Sequence, residues 1–183
     1  MKSKCISFCM AMLLLVSCAT SSKFHYSESE LQAFETFIDS GDFQIVSDWA
    51  IPLANTSLNA LSNAGLLPVS STPGRINLIG NVNYLKIQGD STQAYLPYFG
   101  ERQIGGAYGD SNRGIAFEAV PEDLEIHFDK EKNRANIQFT ASRDTETFDV
   151  MAVIFPNRNS IITINSNQRR TISYRGMAQS IHD

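Results

Sequence analysis

The stretch "ANIQFTASRDTETFDVMAVIFPNRNSIITINSNQRRTISYRG", residues 135–176, decides the fold class. Apolar side chains recur at every second position: Ile137 and Phe139, then Phe148, Val150, Ala152 and Ile154, then Ile172 and Tyr174. "SIITIN" (160–165) is a further run between them. A period of two sets one face of a strand against a core and the other in water. Residues suited to tight turns separate the runs, at Arg143-Asp144, Pro156-Asn157 and Asn165 to Gln168. Strands joined so closely, with no helix between them, pair antiparallel.

Upstream the same alternation runs through "DFQIVSDWAIPL", where Phe43, Ile45, Trp49, Ile51 and Leu53 share one parity. It returns in "YLKIQ" (Leu85, Ile87), "QAYLPYF", "GIAFEAV" (Ile115, Phe117) and "LEIHFD" (Leu124, Ile126, Phe128). Gly89-Asp90 and Asp129 to Asn133 supply two more turns. Pro97 has no amide to donate and belongs where a ladder ends. The expected architecture is mainly β: a single antiparallel meander of eight to nine strands, as a curved sheet, barrel or half-barrel, with a two-layer sandwich as the runner-up.

One amphipathic helix precedes the sheet. In "SESELQAFETFIDSG", Ser27 and Glu30 have capping-box spacing, Leu31, Phe34, Phe37 and Ile38 form one apolar stripe, and Gly41 suits a helix terminus. Such a stripe is expected to lie across the mouth or face of the sheet. Residues Asn55 to Gly74 interrupt the strand pattern. "SLNALSNAG" is expected to form two helical turns from Ser57, with Leu58 and Leu61 inward and Gly65 as terminator. A connection of this length is either functional or mobile, and mobility is the expectation here.

The first seventeen residues have a different chemistry. Lys2 and Lys4 precede the apolar stretch Ile6 to Val16, too short to span a bilayer, which runs into Leu15-Val16-Ser17-Cys18. This resembles a bacterial lipobox, with Cys18 diacylated and made the first residue by cleavage; an ordinary secretory signal with a chance cysteine is the alternative. The expected domains are therefore a signal peptide at 1–17, a tether at 18–26 and one β-rich domain at 27–183. All three cysteines (Cys5, Cys9, Cys18) lie at this end, so the expected folded part has no disulfide, cysteine metal site or thiol nucleophile. Removing residues 1–17 takes away two lysines and no acid, leaving 13 basic and 19 acidic residues, a net −6. An acidic chain with no basic run argues against nucleic acid as a partner.

Tests for catalytic chemistry find no GxSxG, HExxH, GxxxxGK[ST] or GxGxxG signature. "DSNRG" from Asp110 begins like a calcium loop but puts Gly114 and Pro121 in the wrong places. Glu125, His127 and Asp129 share the polar side of "LEIHFD" and are the one row suited to a metal or a general base. A solvated outer face has the same pattern and is the preferred reading. No catalytic residue, metal ligand or cofactor is expected. The residues that suit a binding rim are Trp49, Tyr84, Tyr95, Tyr98, Phe99 and Tyr108, since ligand clefts combine aromatic walls with a few polar tips; half-buried packing with a wet hydroxyl is the preferred reading of them.

"YLKIQGDSTQAYLPYFGERQIGGAYG", 84–109, carries a resemblance to a family. Its elements Tyr84 to Lys86, Gly89 to Ser91, Tyr95 to Gly100 and Ala107 to Gly109 are similar to the central block of small bacterial lipoproteins described only as domain of unknown function 4251. Ile51 to Leu53, Arg75 to Gly80 and the closing "SNQRRTISYRG" fit as well, so the likeness covers about residues 28–178. The Asn55 to Gly74 insertion and the Glu101 to Ile104 loop are longer than the family pattern. The family implies an envelope compartment and no assigned activity. "CATSSK" has no acid directly after the cysteine and no aspartate at Ala19, which implies the periplasmic face of the outer membrane. The expected function is a non-enzymatic, lipid-anchored envelope protein that binds a small amphipathic molecule. The alternative is an envelope assembly factor acting through protein contacts, and a metal-dependent or hydrolytic enzyme ranks last.

Overall fold

The computed structural model describes residues 26–53, 55–103 and 114–181. Helix α1 (Glu28–Asp39) leads into β1 (Asp42–Pro52), and α2 (Thr56–Asn63) and the two-residue β2 (Ile76–Asn77) follow. The remaining strands are β3 (Tyr84–Gln88), β4 (Ser91–Leu96), β5 (Ile115–Ala119), β6 (Glu125–Asp129), β7 (Arg134–Arg143), β8 (Glu146–Ile154), β9 (Asn159–Ser166) and β10 (Ile172–Ser180). Nine of the ten described strands run antiparallel in the order β5-β4-β3-β1-β10-β9-β8-β7-β6, and β2 pairs with β1 beside β3.

The sheet curls until β5 meets β7. Phe117 stands 6.1 Å from Phe139 and 5.5 Å from Phe148, ring centre to ring centre, and Arg143 Nη1 donates to the Ala116 carbonyl at 3.3 Å. No ladder joins the two strands among the described residues, so the barrel stays half-open. The inward side chains fill it as one core that includes Ile45, Leu85, Ile137, Phe148, Ile162 and Tyr174. Each such side chain contributes about 1.5–3 kcal/mol by leaving water.

Helix α1 closes one end, as its stripe predicts. Phe34 and Ile38 are buried, Phe34 meets Phe128 at 5.6 Å and Phe37 meets Phe43 at 5.3 Å. The capping box forms: the Ser27 hydroxyl accepts from the Glu30 amide at 3.3 Å, and the Ser27 amide donates to Glu30 Oε2 at 2.7 Å. Gly41 then takes a φ of +65°, which lets the chain turn directly into β1.

In β1 the observed parity departs from the expected one. A β-bulge shifts the register between Ser47 and Trp49. Before it Phe43, Ile45 and Ser47 point inward; after it Ala50 and Pro52 do. Trp49 and Ile51 therefore face outward and Leu53 is 55% exposed, because one extra residue flips every later side chain to the other face. Gly176 lies opposite Ser47, and a Cβ there would overlap the Val46 carbonyl and the Ser47 backbone. Buried Asn83 holds the bulge from the other edge, accepting from the Ser47 amide at 2.8 Å and donating to its carbonyl at 2.9 Å.

The insertion after β1 forms α2, with Asn55 Oδ1 capping the Leu58 amide at 2.8 Å and Gly65 at φ +67° behind the helix. Leu58 is buried as expected, but Leu61 is 42% exposed: only one side of this short helix meets the domain. Ile76 and Leu78 return the chain to the core.

Candidate functional site

The bulge exposes a site on the outer face of the sheet. Trp49, turned outward, lies across from Arg175 on β10, which in turn lies across from Ile161 on β9. The Arg75 guanidinium stacks 3.6 Å above the indole, a cation–π contact that holds the ring upright. A depression of about 530 Å³ opens here, lined by Tyr26, Asp48, Trp49, Asn159, Arg175 and others. That size falls in the range of about 300–1,000 Å³ typical of small-molecule sites. Neither the Asp48 carboxylate nor the Arg175 guanidinium has an ion pair or side-chain hydrogen bond among the described residues. The depression thus offers one aromatic wall, one uncommitted cation and one uncommitted anion.

A second, shallower cleft of about 380 Å³ follows the β5–β7 seam. Tyr84 and Tyr95 face each other at 6.3 Å on one side of it, with Glu118 and Arg143 among the polar lining. Its β5 wall is an edge strand that no ladder joins to β7 among the described residues, so this cleft is open.

At the end of the half-barrel opposite α1, a buried ionic cluster ties three connections together. Arg169 grips Glu146 with two bonds, Nε to Oε1 at 2.6 Å and Nη2 to Oε2 at 3.0 Å. The Ser166 hydroxyl donates to Oε1 at 2.7 Å and Arg102 Nη2 to Oε2 at 3.3 Å. Arg169 Nη1 also donates to the Gly114 carbonyl at 2.9 Å. Burial alone would raise the Glu146 pKa, but the bonds from Arg169 and Ser166 and the charges of Arg169 and Arg102 outweigh it and hold the carboxyl below its ordinary range. Tyr98 stands 5.2 Å from the Arg169 guanidinium, and its hydroxyl donates toward the Glu101 and Arg170 carbonyls, both at 3.1 Å. Burial raises the pKa of Tyr98, and Tyr174, fully buried, is raised further and donates to the Pro97 carbonyl at 2.8 Å. Each side chain of the cluster has at least one protein partner, and together they clasp the three connections.

The six rim candidates do not converge. Trp49 belongs to the bulge depression, Tyr84 and Tyr95 to the seam cleft, and Tyr98 to the clasp. Phe99 packs partly buried against the core, and Tyr108 lies outside the described residues, as does Cys18. Glu125, His127 and Asp129 line the outer side of edge strand β6. Glu125 accepts from Gln138 at 2.9 Å, and Asp129 pairs with Arg134 at 3.7 Å and Lys132 at 3.8 Å. Among the described residues no group of three or more His, Cys, Asp or Glu is placed to hold a metal ion. Sequence reasoning missed Glu146, Arg169 and Arg102. The available signal was Arg169 itself, an arginine inside the "SNQRRTISYRG" motif between two apolar strands.

A search of curated proteins found no match. Among solved structures, the chain is similar to a crystal structure of a DUF4251 family protein from Bacteroides eggerthii DSM 20697, at 11% identity and a TM-score of 0.54, over 84% of this chain and 89% of that one. At that identity the likeness concerns the fold. The description "Domain of unknown function (DUF4251)" matches residues 25–178, nearly the whole of the β domain with its capping helix, and the chain belongs to this family.

Proposed function

We propose that this protein is a lipid-anchored envelope protein, held at the periplasmic face of the outer membrane through Cys18, whose β domain binds a small amphipathic molecule without transforming it. The anchor is supported by "LVSC" at 15–18 behind a basic, then apolar, leader. The observation that carries the binding role is the depression at the β1 bulge, where Trp49 stands beside the uncommitted Arg175 and Asp48. An aromatic wall suits the apolar part of such a molecule, and two fixed opposite charges suit its polar end. The barrel interior supports an outer site, because core side chains fill it.

Native mass spectrometry of the full protein purified from its own envelope tests this reading. The expected spectrum shows an acylated chain beginning at Cys18 plus a discrete added mass, and the added mass disappears in Arg175→Ala. A bare acylated chain would refute the binding role; a chain without acyl groups would refute the anchor.

A further inference from the structure

The described residues leave ten large hydrophobic side chains exposed, and six of them, Leu53, Leu61, Leu66, Val69, Ile79 and Val82, fall in residues 53–82. Their exposure runs from 42% at Leu61 to 86% at Val69. The same region is nearly free of charge: between Asp48 and Lys86 the single charged residue is Arg75, in a chain that is 19% charged overall. Arg75 is itself exposed, with its guanidinium laid against Trp49 at the base of the segment. The segment nonetheless has a defined frame. Leu58, Ile76 and Leu78 are buried in the domain, Asn55 caps α2, and the Leu78 amide donates to the Asp48 carbonyl at 2.8 Å. A framed segment that leaves six large apolar side chains exposed and carries one charge, on an otherwise acidic domain, marks an interaction surface.

The position of the chain entry selects the partner. Tyr26, the first described residue, lines the same depression as Trp49, and Trp49 is the strand partner of Asn77 at the base of the segment. Seven residues separate Tyr26 from Cys18, a reach of at most about 30 Å. An anchor at Cys18 therefore keeps a bilayer within that distance of Tyr26, which shares a depression with the segment's strand partner Trp49, and makes contact an intramolecular event. The absence of acids removes the carboxylate desolvation that would oppose entry into the interface. With Arg75 as its one cation, the segment has little attraction to anionic lipid.

We propose that residues 53–82 seat in the interfacial layer of the membrane that carries Cys18, with Leu53, Leu61, Leu66, Val69, Ile79 and Val82 as the immersed side chains. The inference rests on the lipid-anchor reading. No described helix is long and apolar enough to cross a membrane, and α2 is an eight-residue element lying in the layer rather than through it. Seating by this edge brings the Trp49 depression to the bilayer surface, where amphipathic molecules are most concentrated.

Leu66→Cys in the full-length protein tests the seat. An environment-sensitive fluorophore is attached after purification and reconstitution into phosphatidylethanolamine–phosphatidylglycerol vesicles, with Lys132→Cys, four strands from β1, as the reference. Intact mass counts both acyl groups and attached labels. The expected result is a blue-shifted emission at position 66, cut by roughly half by nitroxide lipids with the probe about 5–10 Å below the headgroups, unchanged in high salt and absent at position 132. Val69→Cys repeats the measurement should Leu66→Cys disturb folding. An acylated chain with no shift at 66 or 69 overturns the seat while leaving the anchor. A shift that lipid nitroxides do not quench overturns it in favour of a second copy of the chain. A chain without acyl groups that still shifts and quenches on vesicles supports the seat and removes the anchor.

Discussion

Replacing Arg169 by methionine keeps most of the side-chain volume and leaves the Glu146 carboxylate buried without its main partner. The two side chains are 5% and 8% exposed, so water cannot take over the broken bonds. Breaking a buried pair from one side costs about 3–5 kcal/mol. Ser166 and Arg102 still reach the carboxylate, at 2.7 and 3.3 Å, which places the expected loss at the lower end, about 3 kcal/mol. In urea unfolding, with a slope of about 2 kcal/mol/M, the midpoint falls by about 1.5 M while the slope stays the same. The double variant Arg169→Met/Glu146→Leu removes both charges and should return to within about 1 kcal/mol of the parent, a coupling that a cycle measures directly. A single-variant loss below about 1 kcal/mol, or a double variant as damaged as the sum of the singles, would refute the clasp.

The bulge makes a second test sharp. Trp49→Ala should cost only about 1–2 kcal/mol, because the ring lies outside against Arg75; a loss of about 4 kcal/mol would restore it to the core. Gly176→Ala should be worse, about 3 kcal/mol or more by calorimetry, since the new methyl meets backbone that has nowhere to go. The depressed Glu146 pKa has a pH signature: its contribution is complete above the ordinary glutamate value of 4.5 and is lost as pH falls through the lowered value. Glu146→Gln should flatten that part of the acid limb in a melting-temperature series, and an unchanged limb would assign acid sensitivity elsewhere. Ser27→Ala should cost about 1 kcal/mol in thermal unfolding through loss of the α1 cap.

Local chemistry made much of this protein legible from the chain alone. Period-two alternation is a property of each strand by itself, so the β class, the strand positions and most inward residues could be read directly. Ser27, Glu30 and Gly41 act within a few residues of one another, and the cap and terminator of α1 were readable for that reason. The placement of the cysteines and the family resemblance are equally local. What escaped depends on strands far apart in sequence. The bulge at Ser47 is set by Gly176 and Asn83, and without them Trp49 counts as inward by parity. Leu61 needed the position of the sheet before its face of α2 could be assigned. The Arg169–Glu146 pair joins residues that only the curl of the sheet brings into a dry space. Tertiary structure also decided that Trp49, Tyr84 and Tyr98 occupy three separate surroundings, because aromatic residues are alike in sequence and acquire distinct roles only from what the fold sets beside them.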